Sequence, residues 1–210
     1  MMNKVLAAII AVVALASGAF VFQSSFRLAQ PEFALYYQTP RDVKPFQLVD
    51  HNNQVFDNSK LAGQWSWVFF GYTSCPDICP TTLQELNFNY EQLKAVAPNT
   101  QVLLVSVDPH RDTTKKLSQY IGYFNAEFKA LTADHGQLFP FARNLGLMYA
   151  INNGEQSENY LVDHSASLVL INPDGKIAAI FKPTHELGQL PIIDGQQVVS
   201  DFEKVVRLFG

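Results

Sequence analysis

Cys75 and Cys79 are the only thiols in the 210-residue chain. They lie together in Gly71-Tyr72-Thr73-Ser74-Cys75-Pro76-Asp77-Ile78-Cys79-Pro80, directly after the apolar run Trp67-Val68-Phe69-Phe70. A thiol pair where a buried strand gives way to a helix is either a redox couple or two soft metal ligands. Pro76 biases Cys75 away from helical dihedrals, and Pro80 suits a first helical turn, where its missing N–H costs nothing. Cys79 is therefore expected near a helix N-terminus, where free N–H groups and the helix dipole favour thiolate over thiol. The spacing is one residue longer than the Cys-x-x-Cys of thioredoxin-type oxidoreductases, which weakens redox chemistry as the explanation without removing it. A structural zinc site would need further ligands at suitable spacing, and no second cysteine pair exists.

If the thiols hold a metal, another donor must come from the five histidines. His164 stands in Leu161-Val162-Asp163-His164-Ser165-Ala166-Ser167, at the mouth of the apolar run from Ser167 to Ile171. His51 falls in a turn, His110 beside Arg111, His135 at a helix start and His185 near the C-terminal helix, and each reads as a surface residue. Asp108, in Ser106-Val107-Asp108-Pro109, ends a valine-rich run. It is either a turn residue before proline or an outer group that tunes a metal. Two thiolates and one imidazole form a soft, low-coordinate set that suits Cu(I), accepts Cu(II) with an added oxygen ligand, and can hold zinc.

The surrounding elements must bring these residues together. Trp65 to Phe70 and Gln101 to Val107 read as buried strands, and Pro80 to Val96 as one helix with Leu83, Leu86, Tyr90 and Leu93 on a face. Phe46 to Val49 and Gln54 to Phe56 flank Asp50-His51-Asn52-Asn53 and predict a hairpin. Asp112-Thr113 can cap a helix carrying Leu117, Tyr120, Ile121 and Phe124. Phe128 to Leu131 predicts a short strand, Gly136 to Leu147 a helix, and 152–159 a polar loop. Ser167 to Ile171, the turn Asn172-Pro173-Asp174-Gly175 and Lys176 to Phe181 predict a hairpin, before an amphipathic helix through Val198, Val199, Phe202, Val205, Val206 and Phe209. Strand, helix, strand, helix, hairpin, helix is the order of an α/β thioredoxin-like fold, with the cysteines after its first core strand. In that layout the loop before Ser167 approaches the cysteines. Thioredoxins carry a cis-proline there, and a histidine in its place favours metal binding over disulfide exchange.

With 48% hydrophobic and 16% charged residues the chain can build a real core, and one globular domain is expected. A net charge of -4 without Lys/Arg clusters excludes nucleic acid as a partner class. Val5 to Phe22 is apolar and uncharged, preceded by Lys4. That run just reaches the length of a membrane-spanning helix, and the lysine on its short side favours N-terminus in, domain out. The alternative is a cleaved signal peptide, with Ala14-Leu15-Ala16 before Ser17 as the cleavage site, but the apolar residues Phe20, Val21 and Phe22 beyond it favour an uncleaved anchor. The expected division is 1–22 as transmembrane anchor or signal, 23–45 as a juxtamembrane linker packing partly on the domain, and 46–210 as a thioredoxin-like domain that carries the thiol site. The expected location is a bacterial inner membrane, single-pass, with the domain facing the periplasm. An oxidising compartment would close the thiol pair unless a reductase or a metal keeps it open.

Three motifs together carry a family resemblance: Gly71 through Leu83; Ser106-Val107-Asp108-Pro109 with Arg111-Asp112-Thr113; and Tyr160-Leu161-Val162-Asp163-His164-Ser165-Ala166. The chain resembles the Sco (SenC) family of copper-binding proteins in cytochrome oxidase assembly. The resemblance implies copper, as Cu(I) or Cu(II), bound by Cys75, Cys79 and His164, with Asp108 at the family's acidic position near the metal. It implies a membrane-tethered metallochaperone delivering copper to cytochrome c oxidase, at the binuclear copper site of subunit II, with other copper chaperones or thiol reductants as further partners. Ser74 stands where many relatives carry histidine, and no ligand is lost. A thiol-disulfide oxidoreductase that reduces the acceptor cysteines through Cys75 and Cys79 stays open as the alternative. Cys79-Pro80-Thr81 is faintly similar to peroxiredoxin active sites, a distant third.

Overall fold

The computed structural model describes residues 2–25, 29–152, 160–184 and 191–210. His185 and residues 153–159 of the expected polar loop lie outside them. The chain divides into two compact units, Met1–Gln30 and Pro31–Gly210. The first holds helix α1 (Met2–Ser25), whose Val5, Ile9, Ile10, Val12, Val13 and Leu15 are exposed. Among the described residues no helix is long and apolar enough to cross a membrane.

The second unit runs β1 (Ala34–Asp42), β2 (Gln47–Asp50), β3 (Val55–Asp57), β4 (Trp65–Gly71), α2 (Ile78–Phe88), α3 (Tyr90–Val96), β5 (Thr100–Ser106), α4 (Thr114–Phe124) and β6 (Lys129–Thr132). It continues through α5 (His135–Leu145), β7 (Tyr149–Ile151), β8 (Val162–His164), β9 (Leu168–Ile171), β10 (Lys176–Phe181) and α6 (Gly195–Phe209). Eight strands form one sheet in the order β1-β10-β9-β4-β5-β6-β2-β3, and β7 pairs with β8 in a separate ribbon. β4 and β5 are parallel, from Trp65 opposite Thr100 to Gly71 opposite Ser106, and every residue of both is buried. A strand pair covered on both faces has no solvent side to alternate toward, which explains the unbroken apolar runs. β9 lies antiparallel to β4 on its other side, so the expected terminal hairpin of β9 and β10 completes the sheet. This mixed sheet with helices is the thioredoxin-like architecture.

Two elements depart from expectation. The segment 23–45, expected as a linker, contains β1, which pairs antiparallel with β10 and places the start of the compact unit at Pro31. A register shift between Tyr36 and Arg41, with Pro40 inside the strand, breaks the period-two signal that would mark it. Its entrance is held by α6. The buried Asp201 carboxylate accepts from the backbone N–H of Glu32 (2.9 Å), Phe33 (2.6 Å) and Ala34 (2.8 Å), and pairs with Lys204 at 3.1 Å.

The helix expected over Pro80 to Val96 is two helices, broken at the buried Asn89. Asn89 donates its amide to the Glu85 carbonyl (2.9 Å) and accepts from Gln196 Nε2 at 2.7 Å. Gly195 packs so closely over it that a Cβ there would sit 2.0 Å from Asn89 Nδ2. The amphipathic face of α6 buries Val198, Val199, Phe202 and Val205, as its periodicity predicts. Phe202 meets Trp65 and Trp67 edge-on at 5.4 and 5.2 Å.

Candidate metal centre

The cysteine loop leaves the C-terminal end of β4, the central strand, and Cys79 falls in the first turn of α2. Gly71 closes β4 under the site. A Cβ there would lie 3.0 Å from Cys79 Sγ, 3.1 Å from Leu104 Cδ1 and 3.2 Å from Phe69 Cε1, so the thiol occupies space that a side chain would take. Cys75 N–H donates to the Tyr72 carbonyl at 3.2 Å, curling the loop back on itself. Cys79 is fully buried and Cys75 half-buried, and both are free thiols.

His164 ends β8 and comes from the far side of the sequence. Its Nε2 lies 3.3 Å from Cys79 Sγ and 4.0 Å from Cys75 Sγ. The three donor atoms all fall within 4.8 Å of one another, and among the described residues no other group of His, Cys, Asp or Glu converges in this way. Phe69 and Tyr72 stand edge-on to the imidazole, each at 5.9 Å, walling it on two sides. His164 Nδ1 faces the Ser165 carbonyl at 3.3 Å, a contact that directs Nε2 toward the sulfurs when Nδ1 carries the proton.

The two thiols are unequal. Cys75 is drawn down to about 4, first because its thiolate accepts from the Cys79 thiol, then, against partial burial, because His164 and the backbone N–H groups of Cys79 and Asp77 also face it. Cys79 is pushed up, by burial first, then by the hydrogen bond its thiol donates to Cys75 and by the charge there. The helix start therefore does not make Cys79 the thiolate. Burial and the bond to Cys75 keep Cys79 protonated, and the negative charge resides on the more exposed Cys75.

The remaining sequence candidates divide. Asp108 is buried, and its carboxylate turns to Arg111 Nε (2.5 Å) and to the Tyr160 hydroxyl rather than joining the three converging donors. His51 accepts from Ala130 N–H at 3.1 Å, and His135 Nδ1 meets the Tyr149 hydroxyl at 2.8 Å, so both are committed elsewhere. His110 is exposed.

Sequence reasoning missed Asp112. Thr113 alone caps α4, accepting from Lys116 N–H at 3.2 Å. Asp112 instead turns inward to accept from Thr73 N–H (2.9 Å), the Thr73 hydroxyl and the Ser106 hydroxyl (2.7 Å). It is the bracket that holds the start of the cysteine loop against the end of β5. Its place beside Thr113 in a capping sequence masked this role, and the Asp-x-x-x-Asp spacing from Asp108 offered no contrary signal.

Two thiols and one imidazole on a thioredoxin-like scaffold define a soft-metal or thiol-redox domain. The match to known proteins narrows this: the SCO1/SenC family profile covers residues 36–191, and the chain belongs to that family. It is 41% identical over 138 residues, 65% of this chain and 67% of the relative, to a protein of Stutzerimonas stutzeri that carries a provisional copper-binding description. It is 35% identical over 146 residues, 69% of this chain and 71% of the relative, to an SCO2-like protein of Rickettsia prowazekii. The structure of Arabidopsis thaliana ScoI with copper bound superposes with a TM-score of 0.68 at 28% identity, covering 78% of this chain and 96% of that one. Bradyrhizobium japonicum ScoI with copper bound gives 0.64 at 26%, covering 78% and 98%.

Proposed function

We propose that the protein binds copper through Cys75, Cys79 and His164 and delivers it to cytochrome c oxidase during assembly, at the binuclear copper site of subunit II. The observation that carries this is the convergence of two sulfurs and one imidazole nitrogen within 4.8 Å, from segments 85 residues apart. That donor set is soft enough for Cu(I) and, with an added oxygen ligand, serves Cu(II). Copper is cargo here. Cys75 offers a ready thiolate, Cys79 must give up its proton on loading, and a returning proton would favour release. Transfer proceeds by exchange, incoming thiolates replacing Cys75 and Cys79 in turn while His164 releases. Cys75→Ser, Cys79→Ser and His164→Ala should each abolish tight copper binding in chelator competition. Near wild-type affinity in either cysteine variant would refute the assignment.

The thiol pair also supports a second reading, as a reductant of the acceptor cysteines. A low-pKa, half-exposed Cys75 beside a buried, protonated Cys79 is the arrangement of an attacking and a resolving thiol. Thiol exchange unaffected by His164→Ala, together with weak copper binding, would favour this reading over delivery.

The uncharged run Val5 to Phe22 behind Lys4 is the sequence feature that supports an anchor in a bacterial inner membrane with the domain facing the periplasm. Tethering would raise the domain's effective concentration near a membrane-bound acceptor. Mass spectrometry of the mature N-terminus tests it, and a chain beginning at Ser17 would remove the tether while leaving the metal site as it is.

A further inference from the structure

We propose that Arg111 is a positioning residue for the imidazole ligand. Its guanidinium pins the chain at Tyr160 and so fixes the short run, 161–164, that ends in His164. Arg111 supplies no donor to the metal site, yet its fork is spent on one place. Nε donates to Asp108 Oδ2 at 2.5 Å, Nη1 donates to the Tyr160 carbonyl at 3.0 Å, and the guanidinium carbon lies 3.7 Å from the centre of the Tyr160 ring. The Tyr160 hydroxyl closes the ring of contacts by donating to Asp108 Oδ1. Tyr160 is thus held by its carbonyl, its ring face and its hydroxyl at once.

From Tyr160 the tie runs to the site by a short route. Val162 N–H donates to the Tyr72 hydroxyl at 3.4 Å, Arg111 lies 5.6 Å from the centre of the Tyr72 ring, and that ring stands edge-on to His164. Tyr72 also accepts from Cys75 N–H through its carbonyl, so both ligand-bearing segments meet on it. β8 is only three residues long and pairs with the equally short β7, outside the main sheet. So small a ribbon does not hold a ligand by its own ladder. Among the described residues the buried Arg111 Nη2 has no hydrogen-bond partner, a costly state that a simple surface ion pair would relieve by turning outward. Lysine cannot reproduce this geometry, because a point charge neither stacks nor donates in two fixed directions.

The test uses the full chain, reduced and metal-free, with Arg111→Lys and Arg111→Met. In the wild type the His164 ring should give a single sharp NMR signal. Both variants should broaden or split that signal, while amides away from β7, β8 and the cysteine loop keep their shifts. Copper affinity by chelator competition should fall about 10–100-fold in both, the range seen when the support of a metal ligand is removed. Only this second arm rests on the copper reading. If the wild type binds no copper, that reading fails by itself, and the ring signal alone decides. If Arg111→Met does not fold, Arg111→Lys, which keeps the charge facing Asp108, carries the test. An unchanged ring signal in Arg111→Lys overturns the proposal, because charge alone would then suffice. Shifts spread through the whole domain overturn it too, since the residue would then serve the fold in general.

Discussion

Replacing Asp112 by alanine should destabilise the domain by about 3–5 kcal/mol and loosen the cysteine loop. The carboxylate accepts from Thr73 N–H, the Thr73 hydroxyl and the Ser106 hydroxyl. Hydrogen bonds to a charged group contribute roughly 1.5–3 kcal/mol each. Their plain sum is too large, since the two hydroxyls can rotate toward other acceptors while the amide cannot. Leaving the part-buried Thr73 N–H unsatisfied costs about 1–3 kcal/mol, and the lost hydroxyl bonds to a charged acceptor add about 1.5–3 kcal/mol, which together set the estimate. Lys116, at 3.5 Å with its side chain 43% exposed, adds little. Asp112→Asn keeps one acceptor oxygen and should lose about 1–3 kcal/mol, and Ser106→Ala, which leaves the carboxylate otherwise served, about 1 kcal/mol. Urea unfolding gives these values, and a double-mutant cycle between Asp112 and Ser106 isolates their coupling. If Asp112→Ala unfolds within about 1 kcal/mol of the wild type, the bracket described here does not hold the loop.

Cys75 should be alkylated by iodoacetamide at a rate nearly constant from pH 6 to 8, since a thiol drawn down to about 4 is already ionised there; a tenfold rise per pH unit would refute this. Gly71→Ala should destabilise the domain by about 1–3 kcal/mol, because the new methyl group meets Cys79 Sγ, Leu104 and Phe69 at once. An unchanged urea midpoint together with unchanged copper affinity would count against so tight a fit. Asp201→Asn should cost about 2–4 kcal/mol at pH 7, as three backbone N–H groups lose a charged acceptor. Burial pushes Asp201 up, but those three N–H groups and Lys204 bring it below its ordinary value. Its contribution is therefore complete above the unfolded value of about 3.9 and is lost as pH falls through the lower folded one. The gap between wild type and Asp201→Asn should hold from pH 7 to 5 and shrink only in stronger acid; shrinkage already by pH 5 contradicts the sign.

Much of the site was legible in the sequence. Cys75-Pro76-Asp77-Ile78-Cys79-Pro80 after an apolar strand specified a thiol pair at a helix start, because prolines and strand length act locally. The apolar runs over Trp65 to Phe70 and Gln101 to Val107, and the face of α6, followed from burial alone. Strand β1 was not legible, since its register shift and Pro40 hide the alternation, and its pairing depends on the distant β10. Nor was the break at Asn89, which is made by a glycine and a glutamine more than a hundred residues away.

The donors themselves, two sulfurs and one imidazole, were determined by residue type and by motif. Only the tertiary structure decided which sulfur carries the charge, because that depends on how deeply each lies and on what faces it, and Cys79 is the more deeply buried of the two. It likewise turned Asp112 from a capping residue into the bracket of the cysteine loop, and turned Asp108 toward Arg111 and Tyr160. A carboxylate's partners are set by which donors the fold brings within about 3 Å, and neighbours in the chain do not reveal them.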